Sequence, residues 1–204
     1  MPLVYDIRSQ QNVASLEKPI FADTNVLFNI FYDQMALVRN PAYEAKSAYR
    51  QAIASMLDAE KPLYLFSLVL AELENVFVKN DHAIFNRASS EKMDLKSFRA
   101  FPSEMSARQK RYDMIYRQIK ANPLFPCLDV PFSCNAVFQF VESLDKQAMD
   151  TNDFVIASLC AQQNGILMTD DKDYASSVTP CDLMTCNPQL LSAAQASGFA
   201  LVTC

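Results

Sequence analysis

The sequence predicts an α/β protein built on a central parallel sheet, and two observations lead to this fold class. Short apolar runs, each the length of one buried strand, alternate with longer segments whose apolar residues recur at helical spacing. Two of those runs also end directly on acidic or hydroxyl residues, at Asp23 and at Thr169. The 204 residues, half of them hydrophobic, are enough for one well-buried domain or two very small ones, and we expect a single domain over 1–204.

The first part of the chain is predicted to supply one strand and two helices. Residues 1–18 are polar and mixed, so we expect an N-terminal extension that packs loosely or not at all. Pro19–Ala22 is short and apolar, which is typical of a central parallel strand, and residues 26–32 follow as a short helix. Pro41 opens a second helix to about Ala59, because proline is tolerated in the first turn of a helix.

A second strand and a buried helix are predicted next. Leu63–Phe66 is apolar and aromatic, and Ser67 is a suitable N-cap for a helix over 68–79. Apolar residues lie nearly all round that helix, and an acid in a buried helix needs a partner or a metal ion, which applies to both Glu72 and Glu74. The two glutamates lie about 200° apart round the helix, so they cannot face the same ion.

The remaining elements continue the alternation. The expected strands and helices are a helix over 103–120, a short strand at 127–130, a helix over 135–144, a helix over 150–163, a strand at 166–168, a strand at 182–185, a helix over 188–196 and a strand at 199–203. Asp150 is a natural N-cap that would place Asp153 at the third helical position, and Gly165 is expected to end that helix.

Composition excludes several classes of protein. With only two glycines, the chain has no glycine-rich loop to bind the phosphates of a nucleotide. The six cysteines lack the spacing of a zinc site, so we expect free thiols. A single histidine, His82, argues against a hydrolase that uses a serine or cysteine with histidine, and we expect it at a helix end, in a capping or surface role. We see no secretion signal and no apolar stretch long enough to span a membrane, so a cytoplasmic location is expected.

A basic segment stands out against the acidic remainder. Residues 81–120 carry nine basic and five acidic residues, hence +4, whereas the whole chain has a net charge of −5 and the rest of it therefore −9. We interpret 81–130 as a mainly helical, basic insertion. It either steers an anionic polymer toward a metal site, with Lys110, Arg111 and Arg117 as candidate contacts to that polymer, or is simply a solvated helical face.

The acids at the strand ends are the candidate chemistry. Asp23 ends one strand, Asp171 and Asp173 follow another, and Glu72 and Asp153 lie on helices. Each has an ordinary explanation as a helix cap, a helix-dipole partner or part of a polar turn. Taken together they indicate a site of hard oxygen ligands, which suits Mg²⁺ or Mn²⁺ better than zinc or copper.

The sequence resembles the PIN-domain nucleases in four blocks that occur in the family's order. These blocks are Asp23–Leu27, Ser67–Leu73, Asp153–Ala157 and Thr169–Tyr174. The resemblance covers about 19–80 and 145–190, and it does not extend to 1–18 or 81–130. It implies a three-layer α/β/α fold and an endoribonuclease dependent on Mg²⁺ or Mn²⁺.

The resemblance also implies roles for single residues. It maps the catalytic, metal-binding acids to Asp23, Glu72, Asp153 and Asp171, adds Asp173 as a further acidic ligand, and makes Asn25 and Thr169 positioning groups. Asp150 is the rival of Asp153, since one helical turn separates the two. Many small members of the family are toxins held inactive by an antitoxin protein, and many form homodimers, so both partners are expectations here beside RNA.

Three alternatives stay open at this point. A PIN-like module that binds RNA or protein without cutting would keep the fold, although the full acidic set argues against it. A phosphatase with an aspartyl nucleophile would need a second aspartate at the position of Asn25. An interaction domain with structural acids predicts no effect of metal on stability. Within the ribonuclease hypothesis, an RNA-processing enzyme remains the neighbour of the toxin.

Overall fold

A parallel sheet runs through the centre of the chain. This computed structural model describes residues 1–9, 13–32, 41–130, 134–143 and 149–202, and within 41–46 and 134–137 it describes the backbone alone. The strands of the described chain are β1 (Leu3–Asp6), β2 (Ile20–Ala22), β3 (Leu63–Phe66), β4 (Cys127–Leu128), β5 (Ile166–Met168), β6 (Asp182–Thr185) and β7 (Ala200–Val202). They lie in the order β4-β3-β2-β5-β6-β1-β7, and each pairing is parallel.

Helices cover this sheet and give it a three-layer α/β architecture. They are α1 (Thr24–Phe31), α2 (Pro41–Asp58), α3 (Ser67–Ala88), α4 (Leu95–Ala100), α5 (Pro102–Ala121), α6 (Cys134–Glu142), α7 (Thr151–Gln162) and α8 (Pro188–Ala196), with 3₁₀ turns at Val13–Ser15 and Lys172–Ser176. The predicted fold class, α/β with a central parallel sheet, is confirmed. The last residue of the predicted strand 199–203 and the end of the predicted helix 135–144 lie outside the described residues.

The two central strands are buried on both sides because helices cover both faces of the sheet. All three residues of β2 and all three of β5 are buried. Phe21 of β2 stacks on Phe66 with ring centroids 4.8 Å apart. Gly165 lies against the Phe21 ring, where a Cβ would come 2.5 Å from Cε2. The residue with a positive φ after α7 is Asn164 and not Gly165, so the prediction that Gly165 ends the helix is wrong. A glycine is needed at position 165 because of its close contact with the Phe21 ring.

The expectation that residues 1–18 pack loosely is also wrong. Leu3–Asp6 forms β1, which lies between β6 and β7. Asp182 fixes this strand: its Oδ1 accepts the Leu3 N–H at 2.9 Å, and its Oδ2 pairs with Lys18 at 2.7 Å. The mixed sequence did not predict a strand because β1 is only four residues long and its ends are half-buried.

Helix α3 is longer than predicted and begins one residue earlier. Ser67 is its first helical residue, not its N-cap, and its Oγ accepts the Val130 N–H at 3.1 Å. His82 lies inside this helix, so its expected place at a helix end is wrong. Its Nε2 lies 2.6 Å from the Met93 carbonyl oxygen and 2.8 Å from Asn86 Nδ2, which ties α3 to the turn before α4.

The segment predicted as a basic insertion is mainly helical and packs into the core. Ile115 and Ile119 of α5 are buried in the main hydrophobic cluster. The Tyr112 and Tyr116 hydroxyls donate to the Glu74 and Leu70 carbonyls of α3 at 3.1 and 2.7 Å. Strand β4, which follows α5, then pairs with β3 at the edge of the sheet.

The cysteines have the state that the sequence predicts where the structure describes them. Cys127, Cys160, Cys181 and Cys186 are free thiols, and all but Cys127 are buried. The side chains of Cys134 and Cys204 lie outside the described residues.

Candidate active site

The carboxyl ends of β2 and β5 meet at the centre of the sheet. Ala22 and Met168 are paired in register, and the Asp23 N–H donates to the Met168 carbonyl at 3.0 Å. The chain leaves β2 toward β3 on one side and leaves β5 toward β6 on the other. Open α/β sheets bind ligands at such a switch in strand order, so the residues that follow these two strands define the candidate site.

Asp23 is held from two sides. It is the N-cap of α1, its Oδ1 accepts the Thr24 N–H at 2.7 Å, and its side chain is almost fully buried. The Thr169 hydroxyl donates to Asp23 Oδ2 at 2.9 Å, and Asn25 Nδ2 lies 3.5 Å from the same oxygen. Asp23 therefore caps its helix, which is the ordinary role that the sequence left open. It also places a carboxylate at the carboxyl end of the central strands.

Thr169 connects the two strand ends. Besides donating to Asp23, its hydroxyl oxygen accepts the Asp171 N–H at 3.0 Å. Asp171 in turn caps the 3₁₀ turn over Lys172–Ser176, where its Oδ1 accepts the Asp173 N–H at 2.9 Å. A single threonine thus fixes the relative positions of two of the predicted catalytic acids.

Glu72 belongs to this site and Glu74 does not. The Thr24 hydroxyl donates to Glu72 Oε2 at 2.9 Å, which brings the α3 carboxylate beside Asp23. Glu74 points toward α5, where its Oε1 lies 3.8 Å from Arg108 Nε. The helical angle that separates the two glutamates in the sequence therefore separates them in the structure.

Asp153 enters the site from the first turn of α7. Asp150 is the N-cap, as predicted, and its Oδ1 accepts the N–H groups of Asn152 and Asp153 at 2.8 and 3.0 Å. The Tyr174 hydroxyl donates to Asp153 Oδ1 at 3.0 Å and lies 3.4 Å from Asp23 Oδ1. The capping role of Asp150 leaves Asp153 as the acid that faces Asp23.

Burial and neighbouring acids raise the pKa of Asp23 and of Asp153. Burial is the main cause at Asp23, and together with Glu72 and Asp171 it raises the pKa to about 6, against hydrogen bonds from Thr169 and Thr24 that lower it. Burial and then the charges of Asp23, Asp150 and Asp171 raise the pKa of Asp153 to about 8, against a hydrogen bond from Tyr174 that lowers it. Like charges at a buried site disfavour ionisation, and no cation pairs with these acids among the residues that the structure describes.

The donor set fits a hard divalent cation in its chemistry. Carboxylate oxygens from Asp23, Glu72, Asp153 and Asp171 are the ligand type that Mg²⁺ and Mn²⁺ prefer. Within the described ranges, however, no three acidic, histidine or cysteine side chains stand close enough together to hold one ion as they are. The structure thus brings the four predicted acids into one neighbourhood without arranging them as a coordination sphere.

The other predicted site residues are placed less centrally. The backbone N–H of Asp173 donates to Asp171 Oδ1 in the 3₁₀ turn. Among the contacts that the structure describes, none joins the Asp173 carboxylate to the four acids. Lys110 and Arg117 are exposed on α5, and Arg117 pairs with Asp113 at 2.6 Å. Arg111 is half-buried in an ion pair with Asp81 of α3 and lies 6.0 Å over the Tyr32 ring, so it links helices.

Three contributors to the site were missed in the sequence. Tyr174 and Thr24 lie inside quoted motifs, but nothing in the sequence shows that their hydroxyls reach Asp153 and Glu72. Tyr49 is buried in α2, and its hydroxyl donates to the Thr169 carbonyl at 2.9 Å and lies 2.9 Å from Thr185 Oγ1. The sequence does not reveal this role, because helical spacing does not distinguish a packed ring from a hydrogen-bonded phenol.

Comparison with known proteins adds little to this geometry. No family model matches the chain, and no curated protein matches it significantly. Among solved structures, a chain of FitAcB from Neisseria gonorrhoeae is similar at 16% sequence identity and a TM-score of 0.43, over 90% of this chain and 96% of that one. A likeness at that level carries no argument about function. Among the residues that the structure describes, no helix combines the length and apolar character needed to cross a bilayer.

Proposed function

We propose that this chain is a metal-dependent endoribonuclease that hydrolyses RNA phosphodiester bonds at the acidic site. Asp23, Glu72, Asp153 and Asp171 would hold Mg²⁺ or Mn²⁺. The role of Asp173 as a further ligand stays a prediction. A bound divalent ion supplies the counter-charge that the acids lack and lowers the pKa of a bound water for attack on phosphorus.

One observation carries the proposal: four acids from four separate elements converge at a switch point of a parallel sheet, and two of them have raised pKa values. A structural role would favour acids paired with cations, as Asp182 is with Lys18. The four acids instead contact hydroxyl and N–H donors among the residues described. Such donors orient carboxylates without neutralising them.

The chain's own residues supply the positioning. Thr169 and the Thr24 N–H fix the two oxygens of Asp23, and the Thr24 hydroxyl fixes one oxygen of Glu72. Tyr174 holds Asp153 beside Asp23. Glu72 and Asp153 would each offer a cation the oxygen that accepts none of these bonds, and Asp23 would offer its remaining lone pairs. The phosphate of the substrate would approach from the carboxyl end of the strands.

The test is cleavage of a mixed RNA pool by purified protein in Mn²⁺, Mg²⁺ or EDTA, with Asp23→Asn in parallel. We expect cleavage that needs metal and is lost in the variant. Glu74→Gln is a matched control, because it neutralises an acid on the same helix that faces α5, and it should leave cleavage unchanged. Cleavage that survives Asp23→Asn would contradict the proposal.

A second candidate is a PIN-like module that binds RNA or protein without cutting it. One observation favours it: the acids of the described chain are not arranged to chelate an ion as they stand. RNA binding without cleavage in any metal would support this candidate. The toxin role, an antitoxin partner, a homodimer and a cytoplasmic location stay predictions of the sequence resemblance. Light scattering of the purified protein tests the dimer.

A further inference from the structure

A groove opens directly beside Glu72, between α3 and the beginning of α7. Its volume is about 440 Å³, within the range of sites that bind small ligands. The lining combines an apolar part with amides and charges: Leu68, Ala71, Glu72, Asn75, Val76, Lys79, Asp150 and Asn152. Because Glu72 belongs to both, the groove is continuous with the acidic site.

One wall of the groove is a stripe along α3. Glu72, Asn75 and Lys79 follow one another at helical spacing, so they lie on one face of the helix. Lys79 is exposed and forms no ion pair with any residue that the structure describes. It lies seven residues beyond Glu72, about 10 Å along the helix axis. A cation is thus available at a fixed distance from the acids.

Asn75 is oriented by a neighbouring helix. Arg99 of α4 donates through Nη2 to Asn75 Oδ1 at 2.7 Å. This contact fixes the amide, because a guanidinium only donates hydrogen bonds and must face the oxygen. The Nδ2 group of Asn75 has no acceptor among the described residues, so its two N–H donors are available to a ligand in the groove.

The opposite wall comes from the beginning of α7. Asn152 contributes a half-buried amide, and the Asp150 Oδ1 is occupied by two backbone N–H groups. Asp153, the residue directly after Asn152, belongs to the acidic site. Both walls therefore run from the acids outward, and the apolar side chains of Leu68 and Val76 lie between polar groups.

We propose that this groove binds the nucleotide next to the scissile phosphate of a single-stranded RNA. Lys79 contacts a phosphate, the Asn75 amide donates to the nucleotide, and the apolar part accepts a base or sugar. The inference rests on the proposed function, because it takes the acids as the cleavage point. A single strand fits, since unstacked bases enter such pockets and paired ones do not.

The first test measures the binding of a labelled, mixed-sequence single-stranded RNA 12-mer in EDTA. Fluorescence anisotropy gives the binding constant at several salt concentrations. Lys79→Ala should weaken binding several-fold and reduce the slope of log K against log salt by about 0.7, the loss of one phosphate contact. Lys120→Ala removes the same charge from an exposed position outside the groove, and it should change neither quantity. Equal losses in both variants would overturn the groove and indicate general charge attraction.

Asn75→Asp separates binding from structure. The new side chain keeps an oxygen for Arg99, so α3 and α4 stay connected. It removes both N–H donors from the groove and adds a negative charge there, and both changes disfavour a nucleotide beside Asn75. We expect an unchanged melting temperature and weaker RNA binding. Wild-type affinity in this variant would overturn the role of Asn75.

Cleavage kinetics in Mn²⁺ separate this inference from the proposed function. Lys79→Ala should raise KM several-fold and leave kcat unchanged, because it removes binding and not chemistry. Wild-type cleavage with an unchanged KM in Lys79→Ala would overturn the groove and leave the ribonuclease intact. A third outcome is that Lys79→Ala weakens RNA binding but the wild-type protein cuts no RNA in any metal. That result would overturn both the proposed function and the position of the groove beside a scissile phosphate.

Discussion

The hydroxyl of Tyr174 donates to Asp153 Oδ1 at 3.0 Å and so ties the turn after β5 to the first turn of α7. The same hydroxyl lies 3.4 Å from Oδ1 of Asp23, on the neighbouring strand end. Tyr174 is only 1% exposed, and its O–H group lies between the buried Asp23 and the half-buried Asp153. It lowers the pKa of Asp153 against burial and the neighbouring charges, which raise it.

Tyr174→Phe should raise the pKa of Asp153 above its wild-type value of about 8. The ring packing stays, but the ionised carboxylate loses its hydrogen-bond donor. Carbon-13 NMR of the aspartate carboxyl groups in metal-free protein measures the shift. Tyr64→Phe is the control, because the Tyr64 hydroxyl bonds to none of the described residues. A pKa of Asp153 that stays unchanged would show that the hydroxyl has no hold on the acid.

Metal-free protein should lose stability as the pH rises from about 4 to about 8. Asp153 and Asp23 have raised pKa values in the folded protein, so between their unfolded and folded values the folded state binds more protons. The free energy of unfolding therefore falls with pH across that window. Thermal unfolding at pH 5 and pH 8 in EDTA measures it, and Asp153→Asn should flatten the dependence.

Mn²⁺ should stabilise the protein more at pH 8 than at pH 5. A metal competes with protons for the same carboxylates, so its binding is stronger where they are ionised. We expect the melting temperature to rise by several degrees at pH 8 with Mn²⁺ in excess of its Kd. Glu74→Gln should keep this response and Glu72→Gln should reduce it. A response that is the same at both pH values would indicate binding elsewhere.

Arg111→Ala should destabilise the fold more than it affects RNA binding. Removing the guanidinium leaves the half-buried Asp81 without its cation and costs about 1–3 kcal/mol. Arg117→Ala is the control, since Arg117 is 78% exposed and its loss should cost little stability. Chemical denaturation measures the stability of both variants.

Reversal of Lys110 and Arg117 to glutamate tests the predicted RNA contact, because both side chains are exposed. We expect weaker RNA binding in this variant. Unchanged RNA binding would show that the exposed face of α5 is only a solvated surface.

Gly165→Ala should cost about 1–3 kcal/mol through a clash of the new methyl group with the Phe21 ring. The effect is steric, so it should shrink in a Phe21→Leu background, where the ring is absent. A double-mutant cycle by denaturant unfolding measures the coupling. Equal costs in both backgrounds would show that the backbone, and not the ring, makes the alanine unfavourable.

The sequence predicted the strands at the centre of the sheet and the acids that follow them. Ile20–Ala22 and Ile166–Met168 are short apolar runs bounded by turn residues, and runs of this kind are typical of buried strands. Asp23 and Asp171 could be predicted because each follows the end of a parallel strand. The carboxyl ends of parallel strands lie at one edge of the sheet, whatever side chains the strands carry. Helical geometry showed that Glu72 and Glu74 cannot face the same ion, and the choice of Glu72 came from the family resemblance.

The missed features depend on contacts between distant parts of the chain. Strand β1 is held by Asp182 and by its two neighbours, none of which lies near it in sequence. The ion pair of Arg111 with Asp81 was not predicted, because the sequence shows the charge of Arg111 but not its partner on α3. The contact of Arg111 with RNA stays a prediction. The roles of Tyr174 and Tyr49 were not predicted either, since only the folded chain shows what their hydroxyls reach.

The position of β1 bears on the order in which the chain can fold. Leu3 pairs with Ala200, so the earliest strand is completed by the latest one, and both its neighbours in the sheet come from the end of the described chain. Contacts of such long range close slowly. As the chain is synthesised, β2 can pair with β3 long before β1 has any partner. Asp153 of α7 and Asp171, which follows β5, become available to Asp23 after β3 and before β6 and β7. The acidic site can therefore form before β1 is enclosed between its two neighbours.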